Sequence, residues 1–74
     1  MKKYRIWYEY SGMETEGRVD TFPEMIIEAE DIHEAVWKYP YLAHKQVHGT
    51  LENFRKEVKA EDVPGWGLFV KEIK

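Results

Sequence analysis

The chain contains no cysteine. Disulfide staples and thiolate chemistry are therefore excluded, and a small core must hold without them. Its one serine, Ser11, lies in a polar stretch without the Gly-x-Ser-x-Gly turn that presents a nucleophile. No apolar run approaches the ~18 residues needed to span a bilayer. The opening Met1-Lys2-Lys3-Tyr4-Arg5 leads straight into alternating apolar residues, not into the apolar segment of a secretion signal. These absences give a cytoplasmic location as the expectation. There is also no internal repeat, linker or low-complexity stretch.

What is present fits one globular domain over residues 1–74, with 43% hydrophobic, 15% aromatic and 34% charged residues. An aromatic share that high argues against disorder. A domain of this size buries only about 60% of the surface its unfolded chain exposes. Most of its apolar residues are then needed to hold the fold, which leaves little for a catalytic pocket of roughly 300 Å³ or more. The expectation is a binding or structural module, not an enzyme, with no cofactor and no metal.

Residues 2–10 alternate: Tyr4, Ile6, Tyr8 and Tyr10 share one parity and Arg5, Trp7 and Glu9 the other. Period two with aromatic and β-branched residues predicts a strand. Ser11 to Gly17 reads as a hairpin loop. A second alternation from Val19 to Glu30 is interrupted by Pro23, which cannot donate to a ladder, so an edge strand is expected with 25–30 as its firm part. Asp31 and Glu34 make a capping-box-like start. Ile32, Ala35, Val36 and Tyr39 then fall on one helical face, and the stripe continues through Leu42, Ala43 and Val47. Pro40 must either kink one helix over 32–48 or separate two. Gly49 suits a C-cap. Residues 50–62 read either as a helix capped by Thr50, with Leu51, Phe54 and Val58 on one face, or as a strand. Val63-Pro64-Gly65 is a turn, and Gly67 to Ile73 a last strand.

A hairpin followed by helix and strand gives an α+β two-layer sandwich, with a right-handed crossover. The sheet is antiparallel and three-stranded, in order 2-1-3, with one or two helices on the face of Tyr4, Ile6, Tyr8, Met25, Ile27, Leu68 and Val70. The opposite parity collects Trp7, Ile26, Phe69 and Ile73 among Arg5, Glu9, Glu28 and Lys71. An aromatic-aliphatic cluster ringed by charge is the composition of an interface core with its rim. The alternatives are that residues 50–62 or the C-terminus fold over it, or that the faces are swapped.

Catalytic and metal signals are thin. His44 and His48 stand at i, i+4, a spacing metals can use, with His33 or Glu52 as further candidates. Without cysteine or a His-Glu-x-x-His motif, the expectation is histidines that are solvated or that meet the last carbonyls of a helix. Gly65-Trp66-Gly67 lacks the Lys-Ser/Thr of a phosphate loop. An enzyme or ligand binder would have to use Tyr8, Tyr10, His33 and His44 at a dimer boundary.

Charge is unevenly laid out. Nine acids and one base fall between Glu9 and Glu34, against five bases and two acids between Lys38 and Lys59. An acidic surface attracts basic partners and repels nucleic acid, although acids also simply solubilise an edge strand. The expected partner-binding residues are Trp7, Ile26 and Phe69 with Glu24, Glu28 and Glu30. The expected partner is a protein with a basic surface, and a homodimer through the Trp7 face is the other possibility. Direct contact with nucleic acid or membrane is not expected.

The run Met25-Ile26-Ile27-Glu28-Ala29-Glu30-Asp31-Ile32-His33-Glu34-Ala35 resembles a strand-to-helix passage of small phage and mobile-element proteins, including some compact anti-CRISPR proteins. The His48-Gly49-Thr50 helix end and an aromatic-rich last strand extend the resemblance over some 45 residues. Pro40 and the segment 51–62 depart from it. The resemblance implies a small inhibitor or adaptor that occupies a nucleic-acid-binding surface of a host protein such as a CRISPR effector. It carries over no functional residue.

Overall fold

Lys2–Tyr8 alternates side chains in and out, and it forms the central strand β1. The structure, a computed structural model, describes residues 1–9, 23–41, 43–65 and 67–74. Strand β2 is Met25–Ala29 and strand β3 is Leu68–Ile73. Both pair antiparallel with β1, so the sheet order is β2-β1-β3, as expected from the sequence. Of the longer strand read over 19–30, residues 25–29 are β2; Pro23 and Glu24 precede it, and 19–22 lie outside the described residues. The hairpin loop and Tyr10 lie outside them as well.

Three short helices follow: α1 at Ile32–Lys38, α2 at Ala43–His48 and α3 at Leu51–Glu57. A 3₁₀ turn at Ala60–Asp62 leads towards β3. Pro40 therefore separates two helices, and residues 50–62 are helical, not a strand. Asp31 starts α1 by accepting from the Glu34 amide at 2.9 Å, and the Glu34 carboxylate accepts from the Glu30 amide at 2.7 Å. Thr50 caps α3 by accepting from the Asn53 amide at 3.1 Å. Gly49 ends α2 at φ +82°, a left-handed conformation that costs glycine little.

The core lies between the helices and one sheet face. Tyr4, Ile6, Ile27, Ala29 and Leu68 meet Ala35, Val36, Tyr39, Phe54 and Val63 there. Polar ties lock the layers. The Tyr39 hydroxyl donates to the Pro23 carbonyl at 2.8 Å, and Lys38 Nζ donates to the Glu28 carbonyl at 2.9 Å. Gly67 lets β3 approach β1 closely: a Cβ there would sit 2.8 Å from Tyr8 Cε1, at φ +89°.

Ile6 is fully buried at the centre of β1. Truncating it to alanine removes buried methyl groups and leaves a cavity, so Ile6→Ala should lower unfolding free energy by ~2–5 kcal/mol. Urea denaturation followed by circular dichroism checks this. A loss under ~1 kcal/mol would show that the core lies elsewhere.

Candidate functional site

Among the described residues no helix lies on the second sheet face, and the pairing register lays out its side chains. Glu28, Lys3 and Ile73 form one row across the strands; Ile26, Arg5 and Lys71 form the next; Trp7 stands opposite Phe69 in the third. The face assignment read from parity is correct. Trp7 and Phe69 stack with centroids 5.5 Å apart and planes 10° from parallel. Trp7 Nε1 donates to the Glu9 carboxylate at 2.8 Å, which satisfies the one polar atom of the indole. Ile26 remains 61% exposed and Phe69 44% exposed. Two large apolar side chains so open to water, beside an aromatic stack, form a patch that folding alone does not explain.

The acidic side chains sort by position. Glu24 and Glu28 flank Ile26, and all three share the open face; Glu30 follows the strand end. Arg5 Nε lies 3.1 Å from Glu24. Much of the acid excess seen in sequence is matched inside the chain. Glu34 lies 3.8 Å from Lys38, and Asp31 takes two hydrogen bonds from Arg55, at 2.9 and 3.1 Å. Burial pushes the Asp31 carboxyl up, but the Arg55 and Glu34-amide hydrogen bonds and the Arg55 and His33 charges outweigh it and hold it below its ordinary value. Glu28 and Glu30 have no ion-pair partner among the described residues. Glu24, Glu28 and Glu30 place carboxylates along β2 and its end, with Lys3 directly across from Glu28 and Arg5 beside Glu24.

The histidines depart from expectation: none is simply solvated. His33 and His44 are buried, and all three imidazoles pack on Phe54, with centroids 5.2, 4.7 and 5.2 Å away for His33, His44 and His48. His33 Nε2 carries its proton, because it donates to the Val58 carbonyl at 2.6 Å. His48 Nδ1 contacts the Glu57 carboxylate at 2.5 Å. The helical stripe was extended through Pro40 to Ala43 and Val47, but the break resets the phase of α2. His44 and His48 turn inward, and Val47 is left 63% exposed. Of the ligand set Tyr8, Tyr10, His33 and His44, the two histidines share Phe54. Tyr8 reaches them through Tyr41, 5.5 Å from Tyr8 and 5.8 Å from His44, and Tyr10 is outside the described residues.

A cleft of about 240 Å³ opens beside His44 and His48, bordered by Glu57, Val58, Asp62, Val63 and Gly65. It is smaller than the roughly 300 Å³ typical of ligand pockets. Among the described residues its lining offers an imidazole–carboxylate pair but no hydroxyl, thiol or amine nucleophile. Among the described residues no group of three or more His, Asp or Glu side chains is placed to hold a metal ion. No described helix is long and apolar enough to cross a membrane. The His48–Glu57 contact was not foreseeable, because it joins two helices across the Gly49 turn and has no local spacing signature.

Trp7→Ala should cost folding about 1 kcal/mol for the lost stack with Phe69, plus a smaller share for the part of the indole that is buried. The loss should be well short of that for Ile6→Ala, measured in the same urea series. Equal losses would mean that the Trp7 face is core. Comparisons with protein-family models, curated proteins and solved structures return no match.

Proposed function

We propose that this chain is a non-enzymatic protein-binding module. It docks through the open face of its sheet onto a protein with a basic surface. The observation that carries the reading is a sheet face that no described helix covers, where the Trp7–Phe69 stack and a 61% exposed Ile26 form an apolar centre. Aromatic residues in such a centre supply most of the binding energy at protein interfaces. The charge along β2 argues for the partner's sign. Among the described residues Glu28 and Glu30 make no close ion pair, and Glu24 pairs with an exposed Arg5. Complementary charge speeds encounter more than it adds affinity, and salt screens it.

A nucleic-acid-binding surface is the commonest strongly basic protein surface, and acids repel nucleic acid itself. The resemblance to compact anti-CRISPR proteins agrees with a cytoplasmic host factor of that kind, such as a CRISPR effector. The partner is a protein, and nucleic acid and membrane are not contacted directly.

The test uses a protein captured by the wild-type chain, with its association rate measured against salt. Glu24→Lys, Glu28→Lys and Glu30→Lys together should slow association about tenfold or more at low salt and flatten the salt dependence. Lysine at 24 and 28 would face Arg5 and Lys3, so the fold should lose up to about 1 kcal/mol at each of these exposed sites, and unfolding is measured alongside. An unchanged rate overturns the basic partner. Concentration-dependent self-association that Trp7→Ala abolishes, with no captured protein lost, replaces it with a second copy of the chain.

A further inference from the structure

The docking of α2 rests on an unusual pair of anchors. A six-residue helix is far too short to be stable alone. Its one buried side chain is His44, and its one large aliphatic side chain outside the contact, Val47, points to water. His44 and His48 both lie against Phe54 of α3, where a helix of this kind ordinarily presents leucine or isoleucine. Pro40 breaks the chain before α2, and Gly49 turns it after, at φ +82°.

We propose that α2 is an acid-released flap: protonation of His44 undocks Ala43–His48 from α3 and opens the cleft, while the sheet and α1 stay folded. Burial opposes a charge on His44, and the charged and titratable groups that face it act in both directions. His48 on α2 is 6.1 Å away, ring to ring, and is itself titratable. Glu57 of α3 is engaged by His48, and Asp62 of the 3₁₀ turn borders the cleft. Phe54 of α3 and Tyr41 offer ring faces and edges at 4.7 and 5.8 Å. On α1, His33 packs on the same phenyl ring and Trp37 takes Lys45 at 6.0 Å. Burial, and then the neighbouring His48, hold the His44 pKa below the ordinary histidine value.

The sign follows. A released His44 titrates near the ordinary ~6.5, and the docked one titrates lower. The docked state has its full advantage above pH ~6.5. It loses about tenfold in population ratio per pH unit below that, for one proton, until the docked pKa is reached. Release uncovers Phe54, Val58 and Val63, an apolar surface on the layer opposite the proposed docking face.

The test is amide exchange by NMR on the full chain, at several values between pH 7.5 and 5, with rates corrected for intrinsic exchange. Protection of α2 amides should fall by up to about fivefold between pH 6.5 and 5.5, while β1 and α1 amides hold. His44→Leu should remove that fall, and His48→Gln should leave one. A flat α2 profile, loss of protection in all elements together, or an undiminished fall in His44→Leu overturns the proposal. Should the leucine variant fail to fold, the ring resonances of wild-type His44 decide. They must titrate together with the α2 amide shifts, and His44 titration without movement of α2 overturns it.

Discussion

The layering of this protein depends on a shortage of helix. Among the described residues the three α-helices are six or seven residues long, about 10 Å each at 1.5 Å per residue. Together they cover one face of a three-stranded sheet. The core residues Ile6, Ile27, Val36, Tyr39 and Phe54 all fall in that single layer. The second face keeps its pleat, so every other side chain of β1, β2 and β3 must point away from the core. Apolar residues at those positions are not bound to be there by folding. That Trp7, Ile26 and Phe69 occupy them is what turns a fold into a reading of function.

Asp31 holds the helical layer to the strand end. One carboxylate caps α1 through the Glu34 amide and receives the Arg55 guanidinium from α3. Its depressed pKa and that of His44 act in separate windows. The stability supplied by Asp31 is present above the ordinary carboxylate range, near pH 4, and is lost as pH falls through its lower folded value. The strain of charging His44 begins about two pH units higher. Loosening of α2 therefore comes before loss of the α1 cap as acid is added, and the two can be told apart.

Much of this was legible in the sequence because local rules and tertiary packing agree. Period-two alternation marked β1 and both its faces, Asp31 with Glu34 marked the start of α1, and Thr50 marked α3. The sheet order followed from chain connectivity. What was not legible depends on contacts between distant elements. Arg55 finds Asp31 across 24 residues, and Glu57 finds His48 across a glycine turn. The inward turn of His44 and His48 was not legible because a new helix starts after Pro40 with its own phase. The acid excess was counted correctly, but pairing with Arg5, Lys38 and Arg55 leaves less of it free than the count implies.

The most direct measurement of whether the open face binds is the dissociation rate of the captured partner from the wild-type chain and from Phe69→Ala, with unfolding of both variants measured alongside. Truncating a central aromatic at an interface costs about 2 kcal/mol or more of binding. Dissociation should accordingly speed up by roughly thirtyfold or more, while unfolding free energy falls by only about 1 kcal/mol, the worth of the lost stack with Trp7. Unchanged dissociation from a folded Phe69→Ala chain would contradict the account and leave this face as nothing more than exposed sheet.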